Sequence, residues 1–341
     1  MMTIAPEKNV SLKAFNTFGI DVKADFFASF NHIDAVADLL SQSEFKEMPR
    51  LVLGGGSNML FTQDYKGIVL RNQIPGVELI DEDEDFWYVK AGAGVVWHQL
   101  VLWCIEKGYQ GIENLSLIPG CAGAAPIQNI GAYGVELKDS FHSLEAFHVS
   151  EGNILTFTND QCQFGYRDSI FKRELKGKVI ILSVVLRLRK HPQLNISYGA
   201  ITQELKRLGV DQPNLKSISD AVCNIRRSKL PDPSKIGNAG SFFKNPEISA
   251  NEYAPLKREF PEMVAYELPD GNVKLAAGWL IEQCGWKGKV VGQTGSHKDQ
   301  ALVLVNYGGA TGSEIKDLAY AIQASVQKKF HVTIEPEVNI L

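Results

Sequence analysis

The sequence has no long apolar run, no excess of positive charge and few cysteines, and each absence excludes a class of protein. No stretch of its 341 residues approaches the roughly 20 consecutive apolar residues that a membrane-spanning helix requires. The net charge of −4 gives no support for nucleic-acid binding, which needs a basic face. The five cysteines are widely spaced, odd in number and form no Cys-x-x-Cys pair, which is typical of free thiols in a reducing compartment.

Signals for secretion, metal binding and the common nucleotide motifs are missing as well. The N-terminus has no apolar core of a signal peptide, so we expect a cytoplasmic protein. The acidic run at 81–85 favours a solvated hairpin turn over a metal site, and we predict no metal. There is no Walker A sequence, and Met59 occupies a position where the Rossmann fingerprint needs glycine.

Glycine and alanine are concentrated in residues 118–134, which hold four glycines and four alanines. Small residues expose backbone N–H groups, and glycine reaches the positive φ angles that aim several amides at one anion. Composition alone is equally consistent with a tightly packed connection. Because residues 54–58 and 91–94 are also glycine-rich and each follows a strand-like run, the pattern suggests one dinucleotide held by several loops.

The apolar patterns predict a mixture of helices and strands. Helices are predicted at 32–42, 96–107, 219–228 and 275–284, with a further amphipathic helix that begins after Thr311 or Ser313. Strands are predicted at 51–53, 67–70, 77–80, 86–90, 144–149, 154–158, 179–189 and 300–306. The domain boundaries suggested by these patterns are 1–70, 71–225 and 226–341.

Three reactive side chains stand out in the last two thirds of the chain. Ser241 lies in a Gly/Ala turn flanked by lysines, Arg167 lies in a polar turn at 165–169, and Glu335 lies near the C-terminus. Taken singly, a serine beside glycine is usually a turn, a lone arginine a surface ion pair and a terminal glutamate a solvated group. Together they offer a hydroxyl, a guanidinium and a carboxylate.

The ordered motifs of the chain resemble those of the UDP-N-acetylenolpyruvoylglucosamine reductase (MurB) family over nearly its whole length. They occupy residues 16–20, 54–58, 118–134, 165–169, 237–246, 300–304 and 335–338. The resemblance implies an α+β fold with a two-part FAD-binding region of the vanillyl-alcohol-oxidase (PCMH) type in domains 1–70 and 71–225. It implies a C-terminal α/β substrate-binding domain at 226–341.

The resemblance also implies the reaction and its participants. FAD and NADPH would reduce UDP-N-acetylglucosamine enolpyruvate to UDP-N-acetylmuramate for peptidoglycan synthesis, and hence for cell wall biogenesis, cell shape and cell division. We expect non-covalent FAD, because no histidine lies in 118–134 to tether a flavin. We also expect a monomer that binds neither nucleic acid nor membrane.

Individual roles follow from the same resemblance. Ser241 is expected to donate a proton, with Arg167 and Glu335 beside the enolpyruvyl group. Substrate contacts are expected from Tyr198, Lys229, Asn245 and Gln300, with Tyr198 on the loop that first-type members close over the diphosphate; a strand-end aromatic is the other interpretation of Tyr198. Cofactor contacts are expected from Gly54, Gly55, Gly56, Ser57, Asn58, Pro119, Gly120, Gly123, Ala124, Ala125, Gln128, Asn129, Gly131, Ala132, Tyr133 and Gly134.

Two other functions remain open at this point. An oxidase of the same flavin fold would act on an alcohol or sugar, but it has no use for a proton donor to substrate carbon. A flavin- or nucleotide-binding module without turnover would need the glycine loops but not Arg167, Ser241 and Glu335.

Overall fold

The computed structural model describes residues 4–191 and 193–341. Its strands are β1 (Glu7–Ser11), β2 (Lys23–Phe30), β3 (Arg50–Leu53), β4 (Met59–Leu60), β5 (Tyr65–Asn72), β6 (Val77–Glu82), β7 (Phe86–Gly92), β8 (Gly131–Ala132), β9 (Val135–Glu136), β10 (Phe141–His148), β11 (Asn153–Thr158), β12 (Val179–Arg189), β13 (Gly237–Ser241), β14 (Glu247–Ile248), β15 (Ala265–Glu267), β16 (Val273–Leu275), β17 (Val290–Val291), β18 (Thr294–Ser296), β19 (Val303–Asn306) and β20 (Asn339–Ile340).

The helices connect these strands or cover the sheets. They are α1 (Ile33–Ser41), α2 (Ser43–Lys46), α3 (Trp97–Lys107), α4 (Asn159–Cys162), α5 (Gly199–Arg207), α6 (Leu215–Lys229), α7 (Ala250–Glu259), α8 (Ala277–Gln283) and α9 (Gly312–Phe330). Short 3₁₀ helices lie at Lys13–Phe15, Glu113–Leu115, Ala122–Gln128, Leu137–Asp139 and Ile170–Lys172. Within the described residues, no helix is long and apolar enough to cross a membrane.

The chain groups into two compact units, and each is built from separate segments. The first comprises residues 1–10, 24–55 and 65–227, and the second comprises residues 11–23, 56–64 and 228–341. Segments 11–23 and 56–64, which the sequence analysis places in the first domain, therefore group with the C-terminal region. The proposed division at 70 and 225 stays a prediction.

The described part of the first unit contains two larger sheets with different strand directions, besides the two-stranded sheet β8-β9. In one sheet β2, β5 and β3 pair in parallel, with β1 at the edge beside β2. The other has the order β11-β10-β12-β7-β6 and is antiparallel throughout. Strand β12 is buried along most of its length because it lies at the centre of this sheet, which explains its nearly continuous apolar sequence.

The second unit is built around an antiparallel sheet with the order β13-β19-β18-β17. Helix α9 supplies one wall of its core through Ile315, Leu318, Ala319 and Ile322. At the start of α9 the Thr311 hydroxyl accepts from Glu314 N (3.3 Å), while Glu314 Oε2 accepts from Thr311 N (2.7 Å). This reciprocal cap satisfies amides that a helix start leaves unpaired.

Most of the predicted elements are confirmed, with differences at their ends. The acidic run forms the β6–β7 turn, where Asp83 accepts from the amides of Asp85 and Phe86. Leu275 belongs to β16 instead of α8, because its amide donates to Pro246 O (2.9 Å). Residues 300–302 form a turn ahead of β19, closed by the bond from Val303 N to Gln300 O (3.0 Å).

Candidate functional site

Two glycine turns of the first unit run side by side, with Gly55 against the backbone of Gly120 and Gly54 against the side chain of Cys121. A Cβ at Gly55 would lie 3.3 Å from Gly120 Cα, and one at Gly54 would lie 3.4 Å from Cys121 Cβ. Gly120 itself has a φ of 111°, which favours glycine. The structure therefore brings together parts of the two loops that the sequence analysis assigned to one cofactor.

The third glycine turn, at 91–94, joins this arrangement through Gly123. A Cβ at Gly123 would lie only 2.5 Å from Ala93 Cβ, and the Gly123 amide donates to Ala93 O (2.9 Å). The amides of Ala122 and Ala124 are also engaged, by Val95 O and Cys121 O. Gly123 is thus small because protein packs against it, whereas the sequence analysis attributed the small residues to an approaching ligand.

The rest of the 54–58 turn belongs to the second unit and is tied to its own backbone. Gly56 has a φ of 62°, and a Cβ there would lie 1.9 Å from Phe15 O. The Asn58 carbonyl accepts from Asn339 N (3.1 Å), and Asn58 Nδ2 donates to Glu337 O (3.2 Å). These contacts account for the residue types at 56 and 58, and their contact with a cofactor stays a prediction.

The 118–134 segment is held in shape by buried polar groups. Gly123, Ala124, Ala125 and Gln128 lie in the 3₁₀ helix, Pro119 precedes it, and Asn129 follows it with a φ of 44°. The fully buried Asn129 donates through Nδ2 to Gly165 O (3.0 Å) and Glu136 Oε2 (3.1 Å), while Oδ1 accepts from Lys138 N (3.0 Å). Asn129 therefore joins this segment to the turn that carries Arg167.

Arg167 lies directly on the glycine-rich segment. Its Nη2 donates to Gly131 O (2.6 Å), and a Cβ at Gly131 would lie 2.8 Å from its Nη1. Its backbone has a φ of 54°, a left-handed conformation that non-glycine residues adopt mainly where surrounding structure imposes it. The predicted guanidinium and the predicted cofactor loop are thus brought together.

Arg226, which the sequence analysis did not identify, adds a second guanidinium to this region. It is half-buried on α6, donates from Nε to Leu117 O (3.2 Å) and bonds the Tyr133 hydroxyl. Burial lowers the pKa of Arg226, and the charge of Arg167 lowers it further. Two neighbouring cations with restricted solvation favour an anionic ligand.

Tyr198 lies at the N-terminus of α5, where it precedes the first helical residue. Its ring meets the Tyr133 ring edge-on at a centroid distance of 5.3 Å, and 44% of the residue is exposed. Asn195 ties the same segment to the glycine loop by donating to Gly134 O (3.2 Å). Tyr198 therefore starts a helix, which differs from the strand-end interpretation, and it adjoins the predicted cofactor residues Tyr133 and Gly134.

Ser241 ends β13 in the second unit and is exposed. The β13–β19 register shifts between Asn238 and Ser241, and Gly240 has a φ of 71°. Asn238 fixes this turn, because its Oδ1 accepts from Gly240 N (3.0 Å) and its Nδ2 donates to Pro231 O (3.1 Å). The Ser241 hydroxyl therefore projects from the shifted end of β13, where the bonds of Asn238 hold the backbone in place.

Glu335 lies beside Lys244 in the same unit. Lys244 N donates to Glu335 O (2.9 Å), and the two side chains approach to 3.7 Å between Nζ and Oε2. The glutamate side chain is 70% exposed and that of Lys244 only 24%. The preceding Phe242 and Phe243 are buried, so the lysine stem is anchored while the carboxylate is accessible.

Two of the predicted substrate residues meet at the first turn of α8. Asn245 Oδ1 accepts from Ala277 N (3.0 Å). Gln300 Oε1 accepts from Leu302 N (3.4 Å), and a Cβ at Gly278 would lie 3.1 Å from it. Lys229, the last residue of α6, is exposed. The amide oxygens of Asn245 and Gln300 are therefore occupied by the protein.

Comparison with known proteins identifies the family. A family model described as the C-terminal domain of UDP-N-acetylenolpyruvoylglucosamine reductase matches residues 232–341, and one described as an FAD binding domain matches residues 24–158. Proteins named UDP-N-acetylenolpyruvoylglucosamine reductase are similar along their whole length. That of Amoebophilus asiaticus is 51% identical over 98% of this chain and 99% of its own. The chain belongs to the UDP-N-acetylenolpyruvoylglucosamine reductase family.

Other members of the reductase family agree with this assignment. The protein from Pseudomonas syringae is 49% identical over 99% of this chain and 100% of its own. The crystal structure of UDP-N-acetylenolpyruvylglucosamine reductase from Thermus caldophilus is 24% identical, covers 99% of each chain and has a TM-score of 0.69, which establishes the shared fold. The predicted family, the α+β fold with an FAD-binding region and a separate C-terminal domain, and the predicted FAD are confirmed.

The residues of the first unit fit the FAD that the reductase family uses. Two arginines bond this glycine-rich region, Arg167 through Gly131 O and Arg226 through Leu117 O, and guanidinium groups suit a diphosphate. The Asn114 Oδ1 atom is buried without a hydrogen-bond partner in the described structure, while its Nδ2 donates to Tyr133 O (3.1 Å). An orphaned acceptor beside the loop matches a ligand that supplies an N–H donor.

Proposed function

We propose that this chain is an FAD-dependent reductase that converts UDP-N-acetylglucosamine enolpyruvate to UDP-N-acetylmuramate with NADPH as reductant. The observation that carries the proposal is similarity to the named reductases over 98% of the chain at 51% identity. When bound, FAD would supply the redox chemistry that carries a hydride from NADPH to the terminal vinyl carbon of the substrate. The protein must then bind the nucleotide, stabilise negative charge and deliver a proton.

Arg167 is proposed to stabilise the negative charge that develops on the enolpyruvyl group. A guanidinium offers several donors in a fixed plane, which suits a carboxylate or an enolate. Its bond to Gly131 O and its left-handed backbone fix its position before substrate binds. The positive charge of Arg226 strengthens the attraction for an anionic group in the same region.

Ser241 is proposed to protonate the carbon that bears the carboxylate. Its hydroxyl is exposed, and the bonds of Asn238 hold the turn from which it projects. A positioned hydroxyl is a weak acid, so it acts only where the proton acceptor is a strong base such as an enolate. Glu335 is proposed as its partner, since its carboxylate is accessible and adjoins the Lys244 ammonium.

The nucleotide is proposed to bind through Tyr198, Lys229, Asn245 and Gln300. Lys229 has an exposed ammonium that suits a diphosphate. Because the oxygens of Asn245 and Gln300 accept from backbone amides, their NH₂ groups are the parts available to donate to a uridine or sugar oxygen.

The cellular setting follows from the reaction. A peptidoglycan precursor as product places the enzyme in cell wall biogenesis, and thus in the maintenance of cell shape and in division. We propose a cytoplasmic location for an enzyme that uses NADPH and a nucleotide sugar, together with non-covalent FAD and a monomeric state.

Product analysis tests the proposed reaction. The FAD-loaded protein is incubated with NADPH and the enolpyruvyl nucleotide under nitrogen, and the product is examined by proton NMR and mass spectrometry, with NADPH omitted as the control. The reductase should replace the vinyl proton signals with those of a lactyl methyl group. An oxidase would leave the vinyl group intact here and would consume oxygen in a separate aerobic assay with an alcohol or sugar. A binding module would leave every component unchanged in both assays.

A further inference from the structure

The first two residues of α3 hold the segment 115–120, which leads into the glycine turn at Gly120. Trp97 Nε1 donates to Leu115 O (2.9 Å), and Trp97 N donates to Gly120 O (3.0 Å). Between these two anchors, His98 Nδ1 accepts from Leu117 N (3.0 Å). Trp97 is buried and cannot titrate, whereas His98 is half-buried and can.

Leu117 is the strained residue of this segment. Its φ of 58° is left-handed, which costs energy for a residue with a Cβ and persists only when neighbouring groups impose it. Both of its backbone polar groups are held by side chains, its N–H by His98 and its carbonyl by Arg226 Nε (3.2 Å). Loss of the His98 bond removes one of the two restraints on this conformation.

The contacts continue from Leu117 towards the proposed site. Arg226 bonds the Tyr133 side chain, and the Tyr133 ring packs edge-on against Tyr198. The carbonyl of Leu117 therefore helps to set the position of a guanidinium that bonds Tyr133 and lies near Arg167. The hydrogen bonds described above connect His98 to these groups through the backbone of Leu117.

We infer that His98 is a positioning residue for FAD binding, which acts through the backbone of Leu117 and only while its Nδ1 carries no proton. The inference rests on the proposed function in that it concerns the same FAD enzyme. An amide N–H can only donate, so the neutral imidazole must carry its proton on Nε2. Once Nδ1 is protonated, the His98 Nδ1–H and the Leu117 N–H are both donors, so the hydrogen bond between them is lost.

The charges around His98 determine when this happens. Burial lowers the pKa of His98, and the charges of Arg227 and Arg226 on α6 lower it further. The 115–120 segment itself contains no titratable side chain. His98 is therefore neutral at physiological pH, and the segment loosens only in acid.

The test compares three variants of the full chain in FAD binding. His98→Asn keeps an acceptor close to the Nδ1 position but cannot titrate, and His98→Leu removes the acceptor. His148→Leu is the matched control, because His148 Nδ1 also accepts from a backbone amide, Glu151 N (3.3 Å), in another part of the unit. The FAD-free proteins are titrated with FAD at about pH 8 and at the lower pH at which ¹⁵N-histidine NMR shows His98 protonated, and flavin fluorescence gives the Kd.

The expected results separate positioning from general packing. At the higher pH, His98→Leu should raise the FAD Kd by about tenfold, the equivalent of one net hydrogen bond, while His98→Asn and the control stay close to wild type. At the lower pH, the Kd of wild type and of His148→Leu should rise, whereas that of His98→Asn should not. The inference would be overturned if His98→Asn and His98→Leu had the same FAD Kd at the higher pH. It would also be overturned if the FAD Kd of His98→Asn rose in acid as much as that of wild type.

A second measurement uses the FAD-free protein alone. ¹⁵N-histidine NMR should show His98 as the Nε2–H tautomer, with the Leu117 amide signal shifting as His98 titrates; the Nδ1–H tautomer would contradict the proposed bond. Circular dichroism checks that each variant folds. If His98→Leu does not fold, the acid response of the FAD Kd in wild type and in His98→Asn still tests the inference. Neither measurement uses NADPH or the enolpyruvyl nucleotide, so a chain that binds FAD without reducing the nucleotide would refute the proposed function and leave this test intact.

Discussion

Arg167 and Gly131 depend on each other, because the guanidinium fills the space that a side chain at position 131 would need. A Cβ at Gly131 would lie 2.8 Å from Arg167 Nη1, which is too short for a van der Waals contact. Any substitution at Gly131 must therefore move Arg167, Glu136 or the loop itself. The reason for glycine here is an arginine of the same chain.

We predict that Gly131→Ala acts through Arg167. Reoxidation of the reduced flavin by the enolpyruvyl nucleotide should slow by about tenfold or more, because charge stabilisation depends on the position of the donor. In stopped-flow experiments, the double variant Gly131→Ala, Arg167→Gln should be no slower than Arg167→Gln, since residues in contact are not additive. Gly199→Ala is the control, since nothing lies within 4 Å of a Cβ there. Additive losses would show that the two positions act separately.

Ser241→Ala should affect only the second half-reaction. The substitution removes one exposed hydroxyl and leaves the turn held by Asn238. NADPH should reduce the flavin at nearly the normal rate, while reoxidation by the nucleotide slows by ~10² or more, the scale of a positioned general acid. Ser234→Ala, in the neighbouring turn, is the control. Equal slowing of both half-reactions would indicate damaged flavin binding, and normal reoxidation would make Glu335 the better candidate for the acid.

Elements with a strong apolar pattern could be predicted from the sequence, and weakly patterned ones could not. Helix α9 has a buried stripe and a side-chain cap, and β12 is a continuous apolar run, so both were found close to their observed bounds. Helix α7 was missed because none of its residues is buried and Pro255 lies inside it. Its capping box from Ser249 to Glu252 was the available signal.

The sequence could predict several residues of the candidate site, but it could not predict which other residues they contact. Arg167 was predicted, and Arg226 was missed because only folding brings α6 to the carbonyl of Leu117. The pair Arg226-Arg227 close to Lys229 was a signal that went unused. Gly123 was predicted as a cofactor contact, which stays a prediction, and a sequence cannot show that its close neighbour is Ala93.

Tyr198 joins α5 to the glycine-rich segment, so its removal should affect substrate binding more than flavin reduction. We predict that Tyr198→Ala raises the KM for the UDP-sugar and leaves the rate of flavin reduction by NADPH unchanged, as expected when ground-state and transition-state binding are lost equally. Tyr320→Ala, at another exposed tyrosine, is the control. An unaltered KM would leave Tyr198 with a structural role at the start of α5.

The second unit is assembled from segments far apart in the chain. Phe18, Ile20 and Leu60 belong to the same core as the C-terminal helices. Strand β4 pairs with β20, and the Thr62 amide donates to the Leu341 carbonyl (2.7 Å). The C-terminal region therefore depends on residues that precede most of the first unit.

We predict that a fragment of residues 228–341 does not fold by itself. Without Phe18, Ile20 and Leu60 its core loses three buried apolar side chains, each worth roughly 1.5–3 kcal/mol of burial. Thermal unfolding followed by circular dichroism should show no cooperative transition for the fragment, with the intact chain as control. A sharp transition for the fragment would show that segments 11–23 and 56–64 are dispensable for folding.

Anaerobic titration of the FAD-loaded chain tests the central claim most directly. NADPH should bleach the flavin absorbance, and addition of UDP-N-acetylglucosamine enolpyruvate should restore it in proportion to the nucleotide added, without oxygen. Both half-reactions would then occur on one protein. Flavin that NADPH reduces but that stays reduced until oxygen is admitted would contradict the assignment of this chain as a reductase of the enolpyruvyl nucleotide.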